Sequence, residues 1–367
     1  MAADVLFIAP LPPPLHGASL ISEAVRTRLK ADYSDISLTE VSIPGAKVDS
    51  LRSTSQKTLA YMRAAMLILR TDPRVVYVSL PAGLSASHLL LLAAAMRAAR
   101  WRGQLITHHH SSRFMEDGLK GRLIRSAYRS LAASAKQPPI HFCLFEEMSD
   151  AASCFNGQGV VLSNAAFDDH FLSPIATQTD DNAHAQGGKS EKLHIGHLSN
   201  LTFDKGLRTA LRIGLALPRD GSATLSLAGP AGVAEEAEIR AAIAAAPDVI
   251  RWRGPLYGEE KAKFYAEIDL FLFLSEMRHE GEPVVILEAM ASDVPVVSTR
   301  VGGVAEMVGE TGLIYESTQD CENNIDDWLS RFRTLPPSRP AFEARRDAAR
   351  ATWTESWEQA LRECPPR

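Results

Sequence analysis

Two glutamates, Glu280 and Glu288, stand close together in the sequence with a proline between them. Pro283 suits the first position of a helix, because the N–H that proline lacks would be unpaired there and its φ is already helical. This predicts Glu280 in the loop before the helix and Glu288 about a turn and a half inside it. The apolar run around Glu288 would bury its carboxylate, which is costly without hydrogen bonds. A ligand with a pair of hydroxyls, such as a ribose, would supply them.

The start of the same helix offers a second kind of binding group. Backbone N–H groups around Glu282 to Val284 have no partner within a helix and form a site for anionic oxygens such as those of a diphosphate. The two features together predict a site for a ribose and a diphosphate. The alternative is an ordinary buried helix whose glutamates face solvent.

The stretch from 275 to 312 resembles the family 4 (group 1) retaining glycosyltransferases. The matching residues are Ser275, Glu280-Gly281, Pro283, Leu287 to Ala291, Pro295 to Val297, Gly302-Gly303 and Glu306. Two positions depart from the family pattern, namely Glu282, where the family often has Phe, and Asp293, where it usually has Gly. We expect these departures to affect the choice of donor more than the chemistry.

The resemblance implies a role for each matching residue. Glu288 binds the ribose of a nucleotide-sugar donor, Glu280 lies beside the donor sugar or phosphate as a catalytic residue, and Gly302 shapes the pocket. The donor-binding residues predicted in this stretch are Glu280, Gly281, Glu282, Pro283, Val284, Glu288 and Gly302.

Three further residues are predicted to bind the donor from the same resemblance. The segment 195–206 aligns with the family's Gly-Arg-Leu…Lys-Gly element, so the ammonium of Lys205 would offset charge on the departing diphosphate and act in catalysis. His197 stands at the family's Arg position, where a histidine is only partly charged near neutral pH. Gly17 lets the backbone approach an oxyanion, with the amides of Ala18 to Leu20 behind it. The alternatives are a plain turn at Gly17 and a solvated lysine at position 205.

A run of three histidines, His108 to His110, ends a predicted strand. Side chains alternate along a strand, so the three imidazoles cannot all point the same way. The family has a cleft histidine at this strand end, and His110 matches it best, as a catalytic residue that binds the transferred sugar. Adjacent residues of a strand are poorly placed to bind one metal ion, because their side chains point to opposite faces. An exposed triplet without function is the remaining alternative.

The elements around these residues alternate between strands and helices in both halves of the chain. Such alternation predicts parallel sheets with helices on both faces. The resemblance implies an α/β fold with two Rossmann-like domains (GT-B) facing across a deep cleft. We expect an N-terminal acceptor-side domain at 1–170, a linker at 171–192, a nucleotide-sugar-binding domain at 193–340, and a C-terminal helix at 341–367 that crosses back to the first domain.

The composition describes a globular protein and excludes several classes. The 367 residues suffice for two domains, and the formal net charge of −5 argues against a general nucleic-acid binder. The four cysteines form no CxxC pair, which is typical of reduced thiols in the cytosol. No secretory leader or membrane-spanning run is recognised in the sequence.

One predicted helix, between Leu119 and Lys136, carries five basic residues and no acidic one. Arg122, Arg125 and Arg129 fall on one helical face. This face could rest on anionic lipid at the inner surface of a membrane and bring the site to a lipid-linked acceptor. A merely solvated face is the alternative.

The sequence therefore predicts a cytoplasmic retaining glycosyltransferase of the hexosyltransferase type. It would move a sugar from a nucleotide diphosphate donor to a glycan or glycolipid acceptor, in cell-surface polysaccharide biosynthesis, without a cofactor or metal. The alternatives are a GT-B nucleotide-sugar epimerase and a non-catalytic donor-binding subunit of a polysaccharide assembly complex. An NAD-dependent enzyme is excluded because no GxGxxG follows a strand, and a P-loop enzyme because GxxxxGK is missing.

Overall fold

The computed structural model describes residues 3–14, 16–45, 51–172 and 192–363. Nearly all of the predicted linker at 171–192 lies outside the described residues. The chain divides into two compact units, a first unit of residues 1–167 with 346–367 and a second unit of residues 168–345.

The first unit is built on a sheet of six parallel strands in the order β2-β1-β3-β4-β5-β6. Its strands are β1 Ala3–Ala9, β2 Ile36–Ser42, β3 Val75–Leu80, β4 Gln104–His109, β5 Ile140–Cys143 and β6 Gln158–Val161. Its α-helices are α1 Gly17–Asp32, α2 Leu51–Thr71, α3 Leu89–Ala98, α4 Gly118–Ala132 and α5 Glu146–Ser153. Strands β3 and β4 are buried at every position, because helices cover both faces of a parallel sheet.

The second unit has its own sheet of six parallel strands. Its strands are β7 Leu193–Leu198, β8 Ala223–Ala228, β9 Ile250–Trp252, β10 Leu270–Phe273, β11 Val296–Thr299 and β12 Gly312–Tyr315. Its α-helices are α6 Leu207–Ala216, α7 Val233–Ala245, α8 Gly258–Glu267, α9 Val284–Ala291, α10 Val304–Val308, α11 Thr318–Asn323 and α12 Ile325–Arg331. The predicted α/β class with two Rossmann-like sheets is confirmed.

The strand order of the second unit fixes where a ligand can bind. The order is β12-β11-β10-β7-β8-β9, so the first strand of the unit, β7, pairs with the fourth, β10, and the chain runs outward in both directions from that pair. This is the doubly wound order, in which ligands bind beyond the carboxyl ends of the two central strands.

The last helix, α13 at Arg339–Glu363, belongs to both units in turn. Its first residues lie in the second unit, whereas its residues from 346 onward pack in the first. There Trp353 and Trp357 are fully buried, and the ring of Trp353 lies 5.3 Å from that of Phe167. The division between the units therefore falls inside this helix.

Candidate functional site

Lys205 and Glu280 meet at the centre of the doubly wound sheet of the second unit. Lys205 follows β7 at the end of a short 3-10 turn, and Glu280 lies in the loop that follows β10. Their side chains form an ion pair, and the Lys205 ammonium also lies 5.9 Å from the ring of Phe273. The Ser275 hydroxyl donates to the same carboxylate oxygen of Glu280 at 2.9 Å. The fold thus brings together two predicted catalytic residues that are 75 positions apart in the sequence.

Two glycines allow this close packing of loops. Gly206 and Gly302 both have a positive φ, at 79° and 48°. A Cβ on Gly206 would overlap the carbonyl oxygen of Leu274, and one on Gly302 would overlap the carbonyl oxygen of Glu280. The Gly302 turn therefore sets the backbone position of Glu280, which is a packing reason for glycine at this place.

Helix α9 carries the second glutamate and begins one residue later than predicted. Pro283 has a φ of −65° but an extended ψ of 119°, so it precedes the helix and Val284 is the first helical residue. The prediction that Pro283 is the first helical residue is wrong by this one position. No side chain of the described residues caps the start of α9. Val284 and Val285 are half-buried there, and the first amides of a helix lack partners within it.

Glu288 is buried and already satisfied by protein groups. It is 2% exposed, forms an ion pair with Lys261 of α8, and lies 3.0 Å from the hydroxyl of Tyr265. Lys261 and Tyr265 are four residues apart on one face of α8, so both reach the same carboxylate. Burial raises the pKa of Glu288, while Lys261 and Tyr265 act in the opposite direction.

A small pocket adjoins this carboxylate. It is lined by Phe171, Leu172, Gly258, Lys261, Ala262, Tyr265, Glu288 and Ser292, all from the second unit. Lys261 is the residue that the sequence prediction missed. The spacing of Lys261 and Tyr265 was visible, but only the packing of α8 on α9 shows that they face Glu288.

His197 is a neutral buried group in this structure. Its Nδ1 donates to the carbonyl of Leu272 at 3.0 Å, which leaves Nε2 to accept from the Ser199 hydroxyl at 3.3 Å. Burial, together with the neighbouring charge of Lys205, lowers the pKa of His197 to about 4, against the hydrogen bond to Leu272, which raises it. The imidazole therefore carries no charge near neutral pH, and it joins β7 to β10 below Lys205. It does not replace the fixed charge of an arginine.

The two departures from the family pattern both contact helix α13. Glu282 is buried and pairs with Arg345 at 3.3 Å. Asp293 has a φ of 58°, and its Oδ1 accepts from the amides of Ser338 at 2.7 Å and Arg339 at 3.1 Å. These contacts hold the first turn of α13 in the second unit. Both departures thus have a packing role, the attachment of α13, and their expected effect on donor choice stays a prediction.

Gly17 is the first residue of α1 in the first unit, and a hydrogen-bonded cap closes this start of the helix. His16 and Ser19 form a capping box, in which His16 Nδ1 accepts from the Ser19 amide at 3.2 Å and Ser19 Oγ accepts from the His16 amide at 2.9 Å. The Leu20 amide donates to the His16 carbonyl. The predicted anion site around Ala18 to Leu20 is therefore wrong for Ser19 and Leu20, because intramolecular partners take both amides. A Cβ on Gly17 would meet nothing within 4 Å, so no close packing requires a glycine here.

The three histidines alternate as expected for the end of a strand. His108 is bonded through Nδ1 to the Tyr77 hydroxyl at 2.7 Å, and His110 lies on the same side with its ring 4.0 Å from that of His108. His109 points the other way, among Phe114, Tyr128, His141 and Phe155. Burial lowers the pKa of His110 to about 4, with a smaller contribution from His16. His110 is thus a neutral imidazole near neutral pH, suited to hydrogen bonding and not to supplying charge.

The described residues bear on metal binding and on membrane crossing. The described ranges contain no cluster of three His, Cys, Asp or Glu side chains placed to hold a metal ion. Among these same residues, no helix combines the length and apolar character that crossing a bilayer requires.

Comparison with known proteins places the second unit in a family. The model of the family described as "Glycosyl transferases group 1" matches residues 192–331, which include Lys205, Glu280 and Glu288. Residues 192–331 thus match the group 1 glycosyltransferases, and they make up less than half of the chain. The suspected family is thereby confirmed for the glycosyltransferase domain that holds the site.

Two relatives match stretches of different length in this chain. It is 27% identical over 194 residues to sulfoquinovosyl transferase SQD2 of Arabidopsis thaliana, covering 52% of this chain and 35% of that protein. It is 29% identical over 147 residues to the amylovoran biosynthesis glycosyltransferase AmsK of Erwinia amylovora, covering 38% of this chain and 32% of that protein. The match thus spans about a third of each of these relatives.

The solved structures are similar over nearly the whole chain. The crystal structure of Anabaena Alr3699/HepE in complex with UDP has a TM-score of 0.63 and 16% identity, and covers 97% of this chain and 100% of that one. An identity this low shows a shared fold only. Both units of the present chain thus belong to the two-domain GT-B fold.

Proposed function

We propose that this chain is a retaining glycosyltransferase that moves a sugar from a nucleotide diphosphate sugar to a hydroxyl of a glycan or glycolipid acceptor. The observation that carries this proposal is the meeting of Lys205 and Glu280 at the carboxyl ends of β7 and β10, directly before helix α9. The family membership of residues 192–331 supports the same activity.

The diphosphate is assigned to the space beside Lys205 and the start of α9. The ammonium of Lys205 is held at the mouth of the site by Glu280, with its side chain still 22% exposed. Amides at the uncapped start of α9 add partial positive charge. Together they would stabilise the negative charge that grows on the diphosphate when its bond to the sugar breaks. Because these groups supply positive charge themselves, we propose a reaction without a metal cofactor.

The ribose is assigned to Glu288. Its carboxylate accepts hydrogen bonds from Lys261 and Tyr265, and a ribose diol would add to or replace these donors. Lys261 keeps 21% of its side chain exposed, so its ammonium can turn outward when a diol enters. Lys261 and Tyr265 in the free protein, and the ribose diol in the complex, then offset the cost of burying the carboxylate.

The transfer itself breaks the bond between the anomeric carbon and the diphosphate oxygen and forms a bond from that carbon to the acceptor oxygen. The acceptor's proton leaves with the diphosphate or to solvent. We assign Glu280 to the donor sugar or its phosphate, and neutral His110 of the first unit to a sugar hydroxyl. Retention of configuration is proposed from the family resemblance.

The donor, acceptor and location are proposed as follows. The HepE structure holds UDP, which makes a uridine diphosphate sugar the first donor to test. The AmsK relative is named for the biosynthesis of amylovoran, which supports a role in cell-surface polysaccharide synthesis. We further propose a cytoplasmic protein that works at the inner face of the membrane.

A thermal-shift screen against UDP, GDP, ADP and TDP, alone and as their sugars, tests the donor site. We expect one base to raise the melting temperature clearly in the wild type and not in Glu288→Gln. Transfer to a panel of glycan acceptors is then measured with the selected donor, and the anomeric configuration of the product is determined by NMR.

The catalytic assignment is tested by Lys205→Met in the same transfer assay. We expect turnover to fall by about two to three orders of magnitude, as for loss of a group that stabilises developing charge. Full turnover of Lys205→Met, or an unchanged affinity of Glu288→Gln for the nucleotide, would contradict the assignment. Product formed from donor alone would indicate an epimerase, and nucleotide binding without turnover on any acceptor would indicate a scaffold subunit.

A further inference from the structure

Three neighbouring helices of the first unit form a surface with an unusual charge. Helix α2 packs against α3, and α3 packs against α4, so the three lie side by side. Their sequences contain nine basic residues and no acidic one, although the whole chain has 39 Lys and Arg against 44 Asp and Glu. In a chain with a net charge of −5, these three helices thus carry basic charges only. We call it the α2–α4 surface.

Large apolar side chains stand exposed on the same layer. On α2 they are Leu59 at 67%, Met62 at 51%, Met66 at 46% and Leu69 at 53% exposure, and they are joined by Leu90 of α3 at 49%. The four residues of α2 follow a spacing of three and four, which places them on a single helical face. Buried residues of α2, such as Tyr61 and Ile68, occupy the opposite face. The exposed stripe is therefore a second apolar face that the unit's own core does not use.

Cationic side chains border this stripe. Arg63 and Arg70 are exposed on the edge of the stripe and form no ion pair with any residue that the structure describes. On α4, the exposed residues Leu119, Lys120, Arg122 and Leu123 repeat the combination of apolar and basic groups.

Only part of the basic face predicted for α4 is available to a partner. Arg125 donates to the carbonyls of Phe114 and Glu116, at 2.7 Å each, and so fixes the preceding loop. The guanidinium of Arg129 lies 5.9 Å from the ring of Phe155. The prediction that Arg122, Arg125 and Arg129 form one contact face is corrected accordingly, because Arg125 has a structural task. Arg122 remains, together with the apolar residues beside it.

We propose that the α2–α4 surface docks onto the surface of an anionic lipid bilayer, with Leu59, Met62, Met66 and Leu69 entering the headgroup region. Apolar side chains bordered by cations, on helices that carry no acidic residue, match such a surface in both polarity and charge. Arg63 and Arg70 contact the lipid phosphates beside the stripe. The inference goes beyond the proposed transferase chemistry, since it concerns a surface that contains none of the residues assigned to the donor.

Sedimentation with lipid vesicles tests the docking. The full-length protein is mixed at low salt with vesicles of phosphatidylcholine alone or of phosphatidylcholine with phosphatidylglycerol. We expect binding to the anionic vesicles only. Arg63→Gln/Arg70→Gln should weaken binding about fivefold for each arginine removed. Leu59→Gln/Met62→Gln/Met66→Gln should abolish the binding that survives at high salt, because salt screens the charges and leaves the apolar part.

A matched variant on the second unit controls for general effects of charge and polarity. Val233 is 91% exposed and Arg251 is exposed as well, so Val233→Gln/Arg251→Gln removes one apolar and one basic surface group elsewhere. This variant should bind vesicles like the wild type. Equal binding by all variants would overturn the proposal.

Sedimentation velocity without lipid separates a bilayer from a protein partner. A wild-type dimer that the apolar substitutions turn into a monomer would show that a second copy covers the stripe, and would overturn the proposal. Nucleotide-induced stabilisation is measured in the same variants and should be unchanged. A failure of vesicle binding is thus distinguishable from a failure of the proposed donor site.

Discussion

The two glutamates of the second unit are held in different ways. Glu280 lies in a loop, with its side chain 13% exposed, and backbone packing against Gly302 sets its position. Glu288 lies inside helix α9, is 2% exposed, and is held by side chains of the neighbouring helix α8. Both pair with a lysine, but Lys205 comes from the loop after β7 and Lys261 from the middle of a helix.

This difference fits two different tasks. A carboxylate on a loop at the strand ends can adjust its position as charge develops on a substrate. A carboxylate that two partners hold inside a helix recognises a group that stays in one place. We therefore expect substitutions of Glu288 to change nucleotide affinity and substitutions of Glu280 to change turnover.

The largest effect should separate the two glutamates directly. Glu288→Gln should weaken nucleotide binding about 100-fold, because hydrogen bonds to a charged acceptor contribute up to about 3 kcal/mol. Glu280→Gln should leave nucleotide binding nearly unchanged and lower kcat about 100-fold or more. Calorimetric titration with nucleotide and steady-state kinetics measure the two quantities.

Lys261→Met provides the control for this comparison. Lys261→Met leaves the buried Glu288 carboxylate without its ionic partner and should cost roughly 3–5 kcal/mol of unfolding free energy. Glu288→Gln should cost less, because the Lys261 that it leaves unpaired is partly exposed and can reach water. In the double variant Glu288→Gln/Lys261→Met the two losses should not add. Equal affinities of the Glu288→Gln and Glu280→Gln proteins for nucleotide would remove the distinction.

The next largest effect concerns acid sensitivity on the Lys205 side of the site. His197 has a pKa of about 4 in the folded protein, against about 6.5 when unfolded. Because the pKa of His197 is lower in the folded protein, its neutral form makes its full contribution to the unfolding free energy above pH 6.5. This contribution is lost as the pH falls towards 4. The loss should be roughly 3 kcal/mol.

Denaturant unfolding at several pH values measures this loss. His197→Asn keeps a donor for the Leu272 carbonyl and has no titrating group, so its unfolding free energy should fall less steeply between pH 6.5 and 4. Some slope remains, because burial also lowers the pKa of His108, His109, His110 and His141. An unchanged slope in His197→Asn would show that His197 does not titrate in this way.

A smaller effect is expected where backbone packing holds Glu280. Gly302→Ala forces a Cβ onto the Glu280 carbonyl and a side chain onto a positive φ, at a cost of about 1–3 kcal/mol. The loop must move, so kcat should fall while nucleotide affinity, set by Glu288, is retained. Gly221→Ala is the control, since Gly221 has a φ of 83° but no neighbour within 4 Å of the added Cβ. If both variants lose only stability and keep full turnover, the loop does not depend on Gly302.

The smallest effect concerns the residue that follows the Glu288 helix. Asp293→Ala loses the cap on α13 and keeps an unfavourable positive φ, so it should cost about 2 kcal/mol of unfolding free energy. Asp293→Gly loses the cap but relieves the φ and should cost about 1 kcal/mol less. Thermal unfolding measures the difference. Nucleotide affinity should stay constant in both, and a clear change in affinity would mean that Asp293 acts on the donor.

Much of the site's layout could be predicted from local sequence. The apolar strands and the spacing of Glu280, Pro283 and Glu288 indicated a loop and a helix, which the structure contains with a shift of one residue. The alternation of the three histidines follows from strand geometry and is also observed. These features depend on neighbours in the chain, so the chain itself specifies them.

The partners of the same residues could not be predicted in this way. Lys261 reaches Glu288 across 27 positions, and Lys205 reaches Glu280 across 75. His197 was predicted as a partly charged substitute for arginine, whereas its bond to Leu272 and its burial make it neutral. The exposure of the α2 stripe likewise depends on which face the unit's core covers.

The sequence by itself determined the α/β class, the placement of both glutamates relative to one helix, and the absence of acidic residues from helices α2 to α4. Tertiary structure decided which lysine serves which glutamate, the charge of His197, and which apolar face of α2 stays exposed. The physical reason is that periodicity and backbone geometry act between near neighbours, whereas burial, ion pairing and the pKa of a side chain are set by groups that only folding brings into contact.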